Sequence, residues 1–331
     1  MKRIWLVIPL FLNSAALYSL FYGSTPQISK SQESEQQSYG RLVPATTSMV
    51  TAWDIPRDPR NDSALTGSPL GEKIRRGFNL FMETPVEAPR FTSNKLSCGN
   101  CHLNGGQREL ALPLVGVAQA YPEYNKREGR DFTLEDRIVG CFMRSENAPG
   151  LWQSNRSAEH TGNEVHAHPD TGSEEVTALA AYITWLSEGL PAGDKLLWRG
   201  HNVISPDSCL PIDKLDPVRG KALYKTNCST CHGVDGQGVQ IGDKKAGPLW
   251  GPSSWNDGAG AARIYTLAGF IRYAMPYLNP GSLTDQEAQH IAAFINFKPR
   301  PDYPLKDRDY KVTQVPPDAV YYHRKGHTEK R

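Results

Sequence analysis

Apolar positions along the chain change period three times. At the N-terminus, Met1-Lys2-Arg3 precedes an apolar stretch over residues 4–22, interrupted only by Asn13, Ser14 and Ser19. A basic start followed by such a run is the pattern of an export signal, and the run is also long enough to serve as an uncleaved membrane anchor. Residues 23–44 are polar and read as a flexible linker. Beyond them the period becomes that of amphipathic helices. Ile74, Phe78 and Phe81 recur at i, i+4 and i+7 on one helical face, and Ser68-Pro69 just ahead supplies an N-cap and a proline at the first helical position. The same arrangement recurs at Asp216-Pro217, ahead of Arg219-Gly220-Lys221-Ala222-Leu223-Tyr224, which parallels Arg76-Gly77-Phe78-Asn79-Leu80-Phe81. Later helices are predicted over 176–186, around Ala181-Tyr182-Ile183-Thr184-Trp185, and over 283–297, around Ala293-Phe294-Ile295-Asn296-Phe297. Thr284 with Glu287 forms a capping box for the last of these, and Thr133 with Asp136 begins a further helix by the same rule. Duplication of the pattern predicts two similar, mainly α domains rather than one large one.

Composition narrows the class. The chain has 331 residues, 39% hydrophobic and 22% charged, with 29 glycines and 25 prolines, which fits a loop-rich globular protein and excludes a fibrous or wholly disordered one. A formal net charge of +2 gives no reason to expect nucleic acid as a partner. Six cysteines are too few for a disulfide scaffold of this length, but their placement is informative.

Cys98-Gly99-Asn100-Cys101-His102 and Cys228-Ser229-Thr230-Cys231-His232 both match C-x-x-C-H, the attachment signature of c-type haem. Two thiols separated by two residues reach the two vinyl groups of one porphyrin, and the adjacent histidine lies beneath the iron as proximal ligand. At these residue frequencies one chance match is expected roughly 0.003 times, so two together are not accidental. A thioredoxin-like pair or half a zinc site leaves the histidine after both pairs unexplained. The expected cofactors are therefore two covalently bound c-type haems.

Each haem needs a second axial ligand. In the second half, Met275-Pro276 follows the haem site and offers a thioether, with Lys244 and Lys245 as rivals. His/Met ligation raises the potential and leaves no open position, which suits electron transfer. The first half has no Met-Pro. On the helix that Thr133 starts, Arg137, Cys141, Arg144 and Ser145 share one face. A thiol flanked by guanidinium groups is held as thiolate, a strong ligand for ferric haem. Cys141 has two plainer readings: an inert buried thiol, or a disulfide partner for Cys209 in an oxidising compartment. Met143 is a third distal candidate but faces away from the arginine row.

Both halves resemble class I cytochrome c domains, in which the first and last helices cross closely. Gly77 and Gly220 would permit that approach, against Tyr182 and Phe294. The gap from Gly77 to Cys98 is longer than that from Gly220 to Cys228, so the first half carries an insertion before its haem. More specifically, the run Glu135-Asp136-Arg137-Ile138, then Gly140-Cys141-Phe142, Arg144-Ser145 and Asn147, with Pro248-Leu249-Trp250-Gly251 and Met275-Pro276 after the second site, resembles the periplasmic dihaem thiosulfate dehydrogenases over most of residues 45–300.

The resemblance implies a catalytic first haem with His102 and Cys141 as ligands, in a domain over 45–192. It implies an electron-relay haem with His232 and Met275 in a domain over 193–309. The activity implied is the coupling of two thiosulfates into tetrathionate, reversible in some members, with electrons passing to a soluble cytochrome c or another high-potential acceptor. Arg127, Arg137, Arg144, Ser145 and Asn147 would line the substrate pocket, where guanidinium forks suit sulfonate oxygens and offset the repulsion between two dianions. The plain alternative for each arginine is an ion pair with a nearby acid such as Glu135, Asp136 or Glu146.

Two departures from the family pattern stand out. Asn147-Ala148 replaces its usual Asn-Gly, and residues 149–172, with His160, His166 and His168, form a longer connection, more consistent with a solvated polar loop than with a metal site. Residues 310–331 lack apolar periodicity and read as a tail, solvated or in contact with the first domain or a partner. Two rival functions are a dihaem electron carrier without its own substrate and a thiosulfate-transferring cytochrome of the sulfur-oxidation type. A periplasmic location follows in each case, either after signal cleavage or through a tether at residues 4–22.

Overall fold

The computed structural model describes residues 42–45, 52–148, 169–190, 198–241 and 244–322. The export or anchor segment and the histidine loop lie outside these residues. Among the described residues no helix is long and apolar enough to cross a membrane.

Two sets of helices repeat one arrangement. In the first, α1 (Pro69–Met82) starts where the Ser68 side chain accepts a hydrogen bond from Gly71 N and Pro69 occupies the first turn. Ile74, Phe78 and Phe81 are each 1% exposed, so the face predicted from their spacing is the buried one. α2 (Leu134–Arg144) opens with the Thr133–Asp136 capping box, and α3 (Glu174–Leu186) with the Ser173 side chain accepting from Val176 N. In the second set, α4 (Pro217–Asn227) is capped by Asp216, which accepts from both Val218 N and Arg219 N. α5 (Ile264–Ala274) and α6 (Asp285–Asn296) follow, the latter behind the Thr284–Glu287 capping box. The structured part of α3 begins two residues before the apolar run because the cap at Ser173, not the first apolar side chain, sets the start. Among the described residues, sheet is confined to two short antiparallel hairpins, β1 (Glu123–Asn125) with β2 (Arg130–Phe132) and β3 (Gln240–Ile241) with β4 (Lys244–Lys245).

The helix pairs α1–α3 and α4–α6 cross at glycines. A Cβ on Gly77 would overlap the Ala178 carbonyl and stand 2.9 Å from Tyr182 Cβ. On Gly220 it would overlap the His290 carbonyl and stand 2.9 Å from Phe294 Cβ. These are the partners the repeated sequence predicts. The obstructing atoms are backbone and cannot swing aside, so Gly220→Ala is expected to cost more than the ~1–3 kcal/mol of ordinary overpacking. Thermal denaturation of the haem-loaded variant checks it.

Each pair encloses its own core. Phe78, Phe81, Tyr182 and Trp185 anchor the first, joined by Ile138 and Phe142 of α2. Tyr224, Ile264, Ile291 and Phe294 anchor the second. The extra length before the first haem site folds as the short helices Thr84–Glu87 and Pro89–Phe91. Two segments cross between the cores. Leu96, just ahead of the first C-x-x-C-H, packs into the second core, whereas Tyr303, beyond α6, packs into the first. The stretch read as a tail is therefore preceded by chain already lying on the first domain. At the other end Val43, read as linker, is 3% exposed and bridges in parallel to Arg108.

Candidate active site

Both C-x-x-C-H segments fold into the same turn. His102 N donates to Cys98 O at 3.0 Å, and His232 N to Cys228 O at 2.9 Å. This turn sets the two thiols and the imidazole in register. The outer ring nitrogen of each histidine is then fixed by a carbonyl: His102 Nδ1 donates to Leu112 O (2.6 Å) and His232 Nδ1 to Gly247 O (3.2 Å). A carbonyl can only accept, so Nδ1 carries the proton and Nε2 keeps its lone pair, the arrangement a metal-ligating histidine needs. Burial pushes both imidazoles below their usual value, which holds them neutral. Burial likewise pushes the Cys101 and Cys228 thiols up to about 12. The donor set and the locked tautomers fit c-type haem at both sites.

Around the first turn lies a cavity of about 750 Å³ lined by Cys98, Cys101, His102, Arg127, Arg137, Cys141, Arg144 and Ser145, among others. The first haem motif and the arginine–cysteine face of α2 thus meet in one space, lined also by the β1–β2 hairpin and, at one edge, by Tyr310, Thr313, Gln314 and Pro316.

The arginines differ in what they face. Arg137 is exposed, lines the cavity and is held further up in pKa, first by attraction to Cys141. Arg127 sits at the tip of the hairpin, half-buried, with Nη1 donating to Gly258 O at 2.5 Å and its guanidinium 5.6 Å from the Tyr310 ring centre. Arg144 is 6% exposed and fully engaged. Its Nη1 and Nη2 each donate to Asp309 at 2.7 Å, and further bonds reach Gly258 O (3.1 Å) and Glu128 Oε1 (3.1 Å). Burial works against its charge, and the Asp309 hydrogen bonds more than restore it. The ion-pair alternative thus applies to Arg144, with a partner far away in sequence. Asp136, the nearby acid, pairs instead with Arg130 at 3.1 Å.

Ser145 is half-buried, lines the cavity and offers its carbonyl to Asn94 Nδ2 at 2.6 Å. Asn147 takes a left-handed backbone (φ 50°), accepts from Asn256 Nδ2 at 3.2 Å, and lies behind the wall rather than in it. Met143 is 3% exposed in the first core, as its place on the helix implies. The disulfide reading is not realised: Cys141 and Cys209 are both free, one at the cavity and the other packed on the second core. Met275 follows α5 and packs against the small cluster of Leu103, Ala111 and Ala274. Lys244 and Lys245 form β4, and their side chains lie outside the described residues.

Two cavity residues, Tyr310 and Glu146, and Asp309 behind the wall, were given no role by the sequence reading. Asp309 and Tyr310 arrive from beyond α6, and Tyr310 N donates to Arg127 O at 2.7 Å. No local motif marks them. Glu146 was visible only as a neighbour of the arginines. It is 3% exposed, and burial pushes its carboxyl up to about 8, so near neutrality it adds little negative charge to the cavity.

The chain matches known families in both halves. A family described as SoxA/TsdA, cytochrome c domain, matches residues 87–192, and one described as cytochrome c oxidase, cbb3-type, subunit III, matches 216–295. A thiosulfate dehydrogenase of Psychrobacter arcticus is 35% identical over 266 residues, covering 78% of this chain and 73% of that protein. One from Allochromatium vinosum is 39% identical over 238 residues, covering 70% and 80%. The chain belongs to the thiosulfate dehydrogenase family. It is an oxidoreductase built from two cytochrome c domains in tandem, and its cofactors are two c-type haems. Among solved structures, the thiosulfate dehydrogenase TsdBA of Marichromatium purpuratum, as isolated, aligns with a TM-score of 0.63 and 38% identity over 74% of this chain. The chain spans half the length of that one.

Proposed function

We propose that this chain oxidises thiosulfate to tetrathionate, two S2O3 dianions joining through a new S–S bond with release of two electrons. The observation that carries the proposal is Cys141 in the same cavity as His102, with the cationic Arg137 lining that cavity beside them. Bound at the two sites, haem supplies one-electron acceptors that together match the two electrons released. His102 and Cys141 would hold the first haem iron, and His232 with Met275 the second, Lys244 or Lys245 being the rival to Met275.

Arg137 and Arg127 present fixed positive charge to the sulfonate oxygens of incoming anions, and Ser145 adds a neutral donor. Their charge offsets the repulsion that two dianions feel on approach. Arg144, paired to Asp309, holds the wall that carries Cys141, and Asn147 ends that wall through Asn256. Cys141 either forms an S–S bond to the terminal sulfur of one intact thiosulfate, the two electrons released going to the two one-electron acceptors, and is expelled as thiolate when a second thiosulfate attacks that sulfur, as in thiol–disulfide exchange, or it withdraws to admit the substrate. Electrons leave to an external cytochrome or another high-potential carrier, in the periplasm.

The purified haem-loaded protein, given thiosulfate and ferricyanide, is expected to form one tetrathionate per two ferricyanides reduced, with no partner protein present. Reduction without tetrathionate would favour a sulfur-transferring cytochrome, and no reduction at all a simple carrier. Arg137→Gln is expected to lower kcat/KM for thiosulfate about 10–100-fold, mainly through KM, since a charged hydrogen bond contributes roughly 1.5–3 kcal/mol. Steady-state kinetics of the variant checks this.

A further inference from the structure

Arg108 lies outside the cavity and has no part in the chemistry above, yet it is a charged side chain with 0% exposure. It belongs to the first domain, six residues after the haem histidine. Its partner belongs to the second. Nη2 donates to Tyr277 O at 2.9 Å, and the guanidinium lies 4.5 Å from the centre of the Tyr277 ring. A planar guanidinium can stack on a ring and donate in its own plane at once, which lysine and neutral side chains cannot do together. Tyr277 stands two residues after Met275.

The neighbourhood is fixed from both sides. Tyr277 donates its hydroxyl to Ala52 O, and its ring packs against Trp53 with centroids 5.0 Å apart. Met275, Tyr277 and Phe270 pack on the cluster that Leu103 and Ala111 of the first domain form with Ala274. The segment bearing Arg108 is itself held tightly. Val43 N donates to Gln107 O (2.7 Å), and Glu109 N donates back to Val43 O (2.9 Å). Leu110 and Leu112 adopt left-handed backbones (φ 58° and 54°), a conformation that non-glycine residues keep only where surrounding contacts enforce it. The same segment ends on Leu112, whose carbonyl holds His102 Nδ1. One short stretch of the first domain thus touches the proximal ligand of its own haem and the loop that carries Met275.

We propose that Arg108 is a positioning residue for the second haem: by clamping Tyr277 it holds the Met275 loop where the thioether reaches the iron, so that the ligand set of one domain is completed by the other. The inference rests on Met275 being that ligand. Arg108 acts through Tyr277, from outside the cavity lining.

The test uses the full dihaem protein. In the wild type, the methionine–iron charge-transfer band of the oxidised protein should be present, and Met275→Gly should abolish it. Arg108→Leu should keep both haems covalently attached, lose that band, and lower the midpoint potential of the second haem only, since loss of methionine ligation lowers a haem's potential. Arg108→Lys, which keeps the charge, should restore part of the band. If Arg108→Leu does not assemble, Tyr277→Leu removes the stacking surface from the opposite side and should give the same loss. A wild type without the band would overturn the ligand assignment and the inference together. A band and potential unchanged in Arg108→Leu, or in Tyr277→Leu, would overturn the inference while leaving Met275 in place. Equal disturbance of both haems would reduce Arg108 to a structural prop and overturn it as well.

Discussion

Cys141→Gly yields a protein with both haems attached and thiosulfate oxidation reduced on the order of 10³-fold or more, the scale seen when a reacting side chain is removed. Attachment should survive, because the first haem is joined through Cys98 and Cys101, and their turn is closed by backbone bonds that do not involve Cys141. The helix should also survive. Ser145 N and Glu146 N bond the Cys141 carbonyl (2.7 and 3.1 Å), which glycine retains, and glycine inside a helix costs about 1 kcal/mol. What disappears is the one cavity thiol that the haem attachment does not use. Cys141→Ser keeps the shape and removes the thiolate, and it should fail as completely. Haem stoichiometry and the ferricyanide rate, measured on the same preparation, check both variants. Retained activity in either would end the catalytic assignment of this residue.

The largest effect on stability is expected from Asp309→Ala. The carboxylate is completely shielded in its pair with Arg144, whose side chain is itself only 7% exposed. Removing Asp309 leaves the buried guanidinium with only Glu128 and the Gly258 carbonyl, and breaking a buried pair costs about 3–5 kcal/mol, far more than the loss of an exposed pair. Tyr322, which donates to Asp309 Oδ2 at 2.5 Å, would lose its acceptor too. The unfolding midpoint should fall sharply. The double variant Arg144→Met with Asp309→Leu should recover much of the loss, because the buried guanidinium goes with its partner and Glu128 keeps Arg130 at 3.5 Å. Denaturant unfolding of the haem-loaded protein reads both. Equal stability of Asp309→Ala and wild type would show that Arg144 finds another partner.

What was legible in the sequence is what is local. Ser68, Thr133, Asp216 and Thr284 mark helix starts within four residues of the bonds they make, and all four cap in the structure. Gly77 and Gly220 could be paired with Tyr182 and Phe294 because the chain states the same pattern twice. The haem sites are legible for the same reason: each is a five-residue motif. Contacts that cross the domains leave no such trace. The resemblance implies a pocket position for Arg144, which does line the cavity, but its two main bonds go to a residue 165 positions away. Arg108 and Tyr277 are 169 positions apart. The stretch around Asp309 and Tyr310 has neither period nor motif, because it packs by individual side chains against a surface made by other segments. Asn147 shows the opposite case. Its place in the motif is plain, while its left-handed backbone, which turns it toward Asn256, is a matter of chain path.

The central claim is that a cysteine thiolate at position 141 turns the first cytochrome domain into a reaction site. Low-temperature electron paramagnetic resonance of the oxidised protein addresses it most directly. The account predicts one low-spin ferric signal with the narrow anisotropy of thiolate ligation beside a second haem without it, and the disappearance of the first signal alone in Cys141→Gly. Two haems lacking any thiolate signature, or a spectrum indifferent to the loss of Cys141, would contradict it.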